Sequence, residues 1–352
     1  MKQADAWKLK SSRYEAVQFS REINKRLSEL RPDNITGAVY IAKDYAVIAT
    51  CVVATISVSW WLYPLAVLLI GAYQRGLTTI AHDAAHRTLA RNTTWNYVLG
   101  ILFAAYPLFQ RHWAYRISHV YLHHPFLGDP EKDPDLKFFL ARGVYDVQPP
   151  GRYAFNIIWK PILGGATVAY LKYLWTNRFS IADSEDQDRT GILVDKYGFY
   201  LFWFAILGGS YLLGILHFVI LFWIVPYLTT FQVLGWFIEL AEHSPMCETE
   251  TKNVYLTRNR KGNFLERAIF GQNLDEYHLE HHLSPGIPFW LLRKAQKIRM
   301  LDPQYASVAS TWGGLFVKGP QGQPSVISQL KERNRRLYEQ SLAGANAREN
   351  MA

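Results

Sequence analysis

The amino-acid sequence predicts an all-α integral membrane protein with four transmembrane helices, arranged as two hairpins, and a cytosolic cap of helices that carries most of the histidines. Residues 45–74 and 197–238 contain no Asp, Glu, Lys or Arg, and each stretch is longer than the ~20 apolar residues that cross a bilayer. Charged residues flank both stretches. A soluble helical core would have to bury two long segments that are apolar on every face, which is rare in soluble proteins.

Each uncharged stretch is long enough to form a pair of helices. In the first stretch, Trp60, Trp61 and Pro64 suit a water interface and a tight turn. As one helix the second stretch would be ~63 Å long, about twice the hydrocarbon thickness, so it is expected to turn back near Gly214. The predicted spans are 45–59, 62–89, 197–214 and 218–240.

The distribution of basic residues predicts how the four spans are oriented. The two predicted turns carry no charge, whereas the segments at the other ends of the spans contain Lys and Arg. Because basic residues favour the cytosolic side, both termini and the histidine groups are predicted to be cytosolic. The predicted regions are a cytosolic amphipathic N-terminal segment (1–44), a membrane domain that carries the histidines (45–292) and a basic cytosolic C-terminal helix and tail (293–352).

Further helices are predicted outside the spans. In the N-terminal segment a helical pattern puts Ile23 and Leu27 on one face, which lies either on the membrane surface or against the protein itself. Apolar runs at 97–109 and 153–175 predict in-plane or re-entrant helices, because one more full span would separate the histidine groups. A polar helix is predicted over 326–342.

The net charge and the cysteines exclude several classes of site. The formal charge is +9, but the basic residues alternate with Trp, Tyr and apolar runs, a pattern that favours the inner membrane surface over nucleic acid. Cys51 and Cys247 are the only cysteines and lie far apart. This excludes a disulfide framework and a cysteine-ligated iron–sulfur cluster within the chain, so any electron carrier must be another protein.

The histidines cluster along the chain. Eight of the eleven fall into three tight groups, and a ninth follows the second uncharged stretch. Spacings of three and four residues put imidazoles on one helix face, whereas adjacent histidines diverge by ~100° and suit two neighbouring metals. Nine imidazoles exceed the ligands of one zinc site, and imidazole suits iron, copper, nickel or zinc. The candidate ligands are His82, His86, His119, His123, His124, His243, His278, His281 and His282.

Together these motifs resemble a known family. HDAAH, HVYLHH followed by GDPEKDPD, the histidine after the last span, and NLDEYHLEHHLSPGIP are similar in order and spacing to the histidine boxes of the membrane fatty acid desaturase superfamily. The resemblance covers about residues 77–292. It implies a four-span helical fold, a centre of two non-haem iron ions on the cytosolic side, and O2-dependent attack on unactivated C–H bonds. On this resemblance the nine histidines are the iron ligands.

Several carboxylates lie beside these boxes. Many members of the superfamily have an asparagine one helical turn before the histidine that matches His243, where this chain has Glu239. Glu239 is therefore the candidate catalytic residue. Three roles are open for its carboxylate: to bind iron, to orient a ligand imidazole, or simply to face water. Because the role is open, desaturation and hydroxylation are both open as well. Ligand histidines usually donate their second N–H to an acid, although acids here also suit turns. The acids expected to accept a hydrogen bond from a ligand imidazole are Asp83, Asp133, Asp135, Asp275 and Glu280.

The resemblance predicts desaturation of a fatty acyl lipid with O2 as co-substrate. A hydroxylase or ketolase acting on a fatty acyl, carotenoid or small lipophilic substrate would use the same ligands, and a zinc-dependent membrane lipid hydrolase is the alternative from another class. An acidic ferredoxin- or cytochrome-like donor, with its reductase, is expected to dock on the basic segments 258–261 and 293–299. The aromatic residues expected to surround a lipophilic substrate are Phe103, Tyr106, Trp113, Phe231, Trp236 and Phe237.

Overall fold

The computed structural model describes residues 14–184 and 188–349, and over these residues the chain is helical, with no β-strand and one isolated backbone bridge between Glu15 and Lys252. Shorter helical segments connect the main helices. The main helices are α1 (Arg21–Ser28), α2 (Thr36–Ser57), α3 (Tyr63–His86), α4 (Thr93–Gly100), α5 (Pro134–Ala141), α6 (Thr167–Trp175), α7 (Arg189–Leu212), α8 (Leu216–His243), α9 (Phe264–Phe270), α10 (His278–Leu283), α11 (Leu292–Arg299), α12 (Pro303–Ala309) and α13 (Val326–Glu349).

Three of the described helices, α2, α7 and α8, are long and apolar enough to cross a membrane. Large apolar side chains remain exposed along them, among them Val53, Phe204 and Leu212. The chain turns between α7 and α8 at residues 213–215, where Gly214 has a φ of 69°. A glycine adopts this left-handed conformation without steric cost, so the turn lies at the residue that the sequence analysis selected.

The second predicted span forms α3, but this helix is less apolar than the other three. It packs against α2 and α8, and its second half buries the polar side chains of Gln74, Arg75 and Asp83. The Gln74 side chain donates a hydrogen bond to the Trp223 carbonyl at 3.0 Å. The helix therefore combines an apolar first half with a polar half that approaches the histidines, and the four-span arrangement stays a prediction.

The first span begins nine residues earlier than predicted, at Thr36 instead of 45. The charged pair Lys43 and Asp44 lies inside α2 and does not mark where the helix begins. Asp44 is fully buried and accepts a hydrogen bond from the Asn273 side chain at 2.6 Å, while Lys43 donates to the same asparagine at 2.6 Å. These residues join α2 to the loop that precedes the last histidine group.

The apolar face of α1 lies against the protein itself. Ile23 and Leu27 are buried in the same hydrophobic cluster as Ala295 and Ile298 of α11, and α1 contacts α11. The Ser20 side chain caps the N-terminus of α1, because its hydroxyl accepts a hydrogen bond from the Ile23 backbone N–H at 3.3 Å. The helices α1 and α11, far apart along the chain, thus pack together next to the spans.

The apolar runs at 97–109 and 153–175 form short helical pieces, among them the π-helical segments Ile101–Ala105 and Phe155–Trp159. Neither run is among the described helices that are long enough to span a membrane. The polar C-terminal helix α13 begins at Val326, as predicted, and continues to Glu349.

Candidate metal centre

All nine candidate ligands converge in one region, although they lie on four separate parts of the chain. They come from the end of α3, the π-helical segment Arg116–His123 with the residue after it, the end of α8, and α10. Their nitrogen atoms form two groups, in each of which the atoms lie within 4.8 Å of one another. The first group is His82, His86, His119, His124 and His281; the second group is His123, His243, His278 and His282.

Each adjacent pair of histidines is divided between the two groups. His123 lies in the second group and His124 in the first, and likewise His281 lies in the first and His282 in the second. Neighbouring residues on a helix point ~100° apart, so one doublet reaches two sites at once. The two doublets therefore link the two groups into one centre.

The π-helical turn explains how His119 and His124 meet. In an α-helix, residues five apart diverge by about 140°, whereas the i to i+5 bonds of a π-helix bring them to the same side. The backbone N–H of His124 donates to the His119 carbonyl at 3.0 Å, and the two Nε2 atoms are 3.1 Å apart. Spacings of three and four residues predict α-helices at these histidines, so the π-helical turn is a difference from the prediction.

The spacing of the nitrogens fits metal ions. In the first group, the Nε2 atoms of His82 and His119 are 2.9 Å apart, and so are those of His124 and His281. Neighbouring nitrogen ligands of one octahedral ion, at ~2.1 Å from it, are ~3.0 Å apart. In the second group the corresponding separations are 3.2 Å for His243 and His278, and 3.0 Å for His278 and His282.

Two buried ring nitrogens support the same interpretation. His86 Nε2 and His123 Nε2 have no hydrogen-bond partner among the described residues. Buried polar atoms in native proteins are normally paired, and one metal ion in each group would give each of these nitrogens a partner. The donor set is therefore suited to two ions bound mainly by imidazole.

The protonation of the rings also suits metal binding. Burial is the main cause that holds the pKa of His119, His124 and His281 well below the ordinary value, and repulsion from neighbouring imidazoles is the next. These rings are neutral at pH 7, which is the metal-binding form. Burial also lowers the pKa of His123, but the charges of Asp133 and Asp135 outweigh it and raise the pKa.

Two of the predicted acids contact ligand candidates directly. Asp133 Oδ1 lies 2.8 Å from His123 Nδ1, and Asp83 Oδ1 lies 3.3 Å from His82 Nδ1. Asp133 also caps α5, because it accepts from the backbone N–H of Asp135 at 3.0 Å. A carboxylate fixed in this way sets the tautomer and direction of the ring. Asp135 reaches the same ring, with its Oδ2 3.5 Å from His123 Nδ1.

Two other predicted acids do not contact an imidazole. Asp275 pairs with the guanidinium of Arg260. Glu280 is fully buried, and its carboxylate binds the Arg299 guanidinium, the Tyr305 hydroxyl and, at 3.1 Å, the Asn259 side-chain amide. Glu280 thus points away from the ligands of its own helix and attaches α10 to the surrounding helices.

Glu239 lies one turn before His243 on α8 but belongs to neither nitrogen group. Its Oε1 accepts a hydrogen bond from the Tyr170 hydroxyl at 2.5 Å and lies 3.7 Å from Arg75 Nη1. Its buried Oε2 has no partner among the described residues. Glu242, which the sequence analysis did not select, is closer to the ligands, with its Oε2 3.5 Å from His278 Nε2.

A small cavity of about 50 Å³ adjoins both histidine groups. None of the six aromatic residues that were expected to surround a lipophilic substrate lines it. Phe231, Trp236 and Phe237 are instead buried in the protein core. The cavity is lined by Arg75, Thr78, Thr79, His82, Asp83, Tyr115, His119, Asp135, Arg178, Glu239, Glu242, Leu274, Asp275, His278, His281, Phe289 and Leu292.

The basic segments predicted to bind an electron donor are only partly exposed. Arg258, Arg260 and Arg299 are buried and bond to groups inside the protein, for example Arg258 to the Ser244 carbonyl at 2.9 Å. Sequence alone does not distinguish a solvated arginine from one that pairs internally. The exposed basic residues of the two segments are Arg293, Lys294 and Lys297.

Comparison with known proteins identifies the family. Residues 59–312 match the sequence model of the family described as fatty acid desaturase. The chain belongs to the fatty acid desaturase family. It is 88% identical over 352 residues, the full length of both chains, to a Bradyrhizobium elkanii protein named dihydrorhizobitoxine desaturase. It is 25% identical to the sn-1 oleoyl-lipid 12-desaturase of Picosynechococcus sp. over 293 residues, which are 76% of this chain and 75% of the relative.

A more distant relative is the chloroplastic omega-6 fatty acid desaturase of Spinacia oleracea, 22% identical over 286 residues that cover 78% of this chain and 61% of the relative.

As a member of this family the protein is an oxidoreductase enzyme, and the alternative of a zinc-dependent hydrolase is set aside. The three apolar helices and the family together indicate a membrane protein. The family is generally di-iron and implies a lipophilic class of substrate.

Proposed function

We propose that this protein is a di-iron desaturase that introduces a carbon–carbon double bond into dihydrorhizobitoxine. The observation that carries the proposal is the 88% identity, over both full lengths, to a protein of that name. This substrate replaces the fatty acyl chain that the sequence analysis expected. The desaturase relatives and the two histidine groups support the reaction type.

In this proposal the first histidine group holds one iron ion and the second group holds the other. When bound, the two ions would activate O2 for attack on an unactivated C–H bond. The residues of the chain would hold the ions: Asp83 and Asp133 orient His82 and His123. The burial of most of these imidazoles keeps bulk water away from the reacting atoms.

The electron balance requires an external donor. Forming one double bond removes two hydrogens and two electrons from the substrate, and reduction of O2 to two waters needs four electrons. The other two electrons come from a separate protein, because Cys51 and Cys247 are the only cysteines of the chain and cannot hold an iron–sulfur cluster. We place the donor on the exposed basic face of α11, at Arg293, Lys294 and Lys297.

We further propose four spans, with α3 as the fourth, and the histidines and both termini on the cytosolic side. The uncharged turn at 213–215 and the basic residues of α11 support this orientation. Single-cysteine labelling in sealed inside-out vesicles tests it. A cysteine at Lys294 is expected to react from the cytosolic side, and one at Gly214 from the opposite side; reaction of both from one side would refute the arrangement.

The reaction is tested with the full-length protein in membranes, supplied with iron, O2 and a reducing system of ferredoxin and its reductase. Mass spectrometry is expected to show conversion of dihydrorhizobitoxine to a product two hydrogens lighter. A product heavier by one oxygen would instead indicate hydroxylation. Iron analysis is expected to give two ions per chain, and a chain that holds zinc alone would contradict the proposal.

A further inference from the structure

A cavity at the protein surface brings three arginines together. It has a volume of about 550 Å³ and lies where α1, the end of α3 and the loop after α10 meet. Arg31, Arg87 and Arg91 line it, and all three are exposed. Among the described residues that line the cavity, none is Asp or Glu. A concave surface that carries charge of one sign attracts ions of the opposite sign, so this cavity favours an anion.

The three charges are not neutralised within the part of the chain that the structure describes. Arg31 donates its Nε–H to a carbonyl of α1 at 3.0 Å, and Arg87 and Arg91 form no salt bridge with a described residue. Asp33 lies near Arg31 in the sequence, but its Oδ1 accepts two backbone N–H groups at the start of α2, both at 2.7 Å. That carboxylate caps α2 and is not part of the cavity wall.

The floor of the cavity is apolar. Leu27, Leu30, Ala90 and Ile287 line it and are buried. A free phosphate ion would bind the arginines but leave this apolar surface in contact with water, whereas an amphiphile would cover it. The combination of a basic rim and an apolar floor therefore fits a molecule that has both a charged and an apolar part.

The cavity lies where the chain enters the first long apolar helix. That helix, α2, is long and apolar enough to cross a membrane and begins shortly after Arg31. Beside its start, Ile35 and Val39 are 71% and 57% exposed, and the indole N–H of Trp95 donates to a carbonyl just before α2 at 3.1 Å. Tryptophan and arginine at the end of an apolar span are typical of the level of the lipid headgroups. The three arginines are thus placed where lipid phosphates lie.

Two sides of the cavity continue into the metal centre. Arg87 directly follows His86, which belongs to the first histidine group, and Ser284 lies two residues after His282 of the second group. A ligand in the cavity would connect α1 with the ends of α3 and α10, both of which carry histidines of the centre. Such a ligand is expected to stabilise the folded protein.

We propose that this cavity binds an anionic phospholipid of the bilayer, with its phosphate on Arg31, Arg87 and Arg91 and the first part of its acyl chains on the apolar floor. Guanidinium groups match the geometry of phosphate oxygens. The apolar floor favours a lipid over both a free phosphate ion and the surface of an acidic protein. The inference goes beyond the proposed function, because it rests on α2 crossing the membrane and not on the substrate.

The test measures thermal unfolding of the full-length, iron-loaded protein in a neutral detergent at constant ionic strength. Three probes are compared: dioctanoyl phosphatidylglycerol, dioctanoylglycerol, which has the same chains but no phosphate, and glycerol 3-phosphate, which has the phosphate but no chains. A ligand that binds only the folded state raises the unfolding temperature, so the phospholipid is expected to raise it saturably and more than either other probe. An equal effect of dioctanoylglycerol or of glycerol 3-phosphate would overturn the inference.

Removal of the three charges tests the assignment to these arginines. The variant Arg31→Gln/Arg87→Gln/Arg91→Gln is expected to need roughly 100-fold more phospholipid for the same rise in unfolding temperature, because each basic residue contributes to the attraction of an anionic lipid. The matched control Lys318→Gln/Lys331→Gln/Arg336→Gln removes the same charge at exposed positions outside the cavity. The control is expected to respond as the wild type does, and an equal loss in both variants would refute a specific site.

A second variant fills the cavity and keeps its charges. Gly286 lines the cavity, and a Cβ added there meets no atom within 4 Å. Gly286→Phe is therefore expected to fold, to keep the wild-type iron content and to weaken the effect of the phospholipid. If the triple arginine variant does not fold, this variant decides, and a wild-type response to phospholipid in Gly286→Phe would overturn the inference.

An acidic protein is the competing occupant. If the phospholipid has no effect but the triple arginine variant binds an acidic ferredoxin more weakly than the wild type does, the cavity receives a protein and the inference is refuted. The unfolding measurement needs no substrate. Wild-type protein that the phospholipid stabilises but that does not convert dihydrorhizobitoxine would therefore refute the proposed substrate and support the lipid site.

Discussion

The ion pair between Glu280 and Arg299 gives the sharpest prediction of stability. The side chains of Glu280 and Arg299 are 0% and 1% exposed, and the Glu280 carboxylate also binds Tyr305 and Asn259. Glu280→Gln leaves acceptors for the neutral donors but leaves the Arg299 charge buried without its partner. Breaking a buried pair from one side costs about 3–5 kcal/mol, so the free energy of unfolding is expected to fall by this amount.

The assay is chemical denaturation of full-length protein in detergent micelles, followed by tryptophan fluorescence. Because a neutral replacement of a buried pair is often tolerated, the double variant Glu280→Gln/Arg299→Met is expected to recover most of the loss. A single-variant loss below ~1 kcal/mol, the range of exposed ion pairs, would show that this pair does not hold α10 in place. A double variant that is less stable than the single variant would also contradict the prediction.

Three further predictions concern the metal centre. His281→Ala and His282→Ala remove ligands from different groups, so each variant is expected to lose about one of the two iron ions per chain. Elemental analysis measures this loss, and the control His217→Ala, at an exposed histidine, is expected to keep both ions. Loss of both ions in each variant would contradict two separable sites. Asp133→Asn weakens the orientation of His123 and is expected to lower iron affinity about 10–100-fold in a chelator competition; unchanged affinity would exclude that role. Removal of iron with a chelator is expected to lower the thermal unfolding temperature, because ions that bind only the folded state stabilise it, and re-addition of ferrous iron should reverse the change.

The family and much of the centre are readable in the sequence because they depend on local order. The nine histidines recur at spacings set by helix geometry, and a doublet such as His123 and His124 points in two directions wherever it lies on a helix. Long stretches without charge are equally local signals, since the length of an apolar segment alone decides if it reaches across a bilayer. Neither the histidine spacing nor the length of an uncharged stretch depends on which residues pack against that segment.

Helix boundaries and ion pairs were not readable in this way. Lys43 and Asp44 suggested that the first span begins only at 45, but Asn273, far along the chain, provides a buried partner for both. Arg258 and Arg299 suggested a docking face, yet both are buried and bonded internally. The energy of a charge depends on partners and solvent around it, and these are set only when distant segments meet.

The sequence by itself determined an all-helical membrane protein with a histidine-rich centre, because helix periodicity and apolar length are properties of neighbouring residues. The oxidoreductase class came from the resemblance of its histidine boxes to those of a known family. Tertiary structure alone decided which acids serve that centre: Asp83 and Asp133 reach imidazoles, whereas Glu280 binds Arg299. It also decided the environment of Glu239, which sequence showed only as a departure from the family. Tyr170 and Arg75 converge on this carboxylate from two other helices, and no local pattern encodes such a contact.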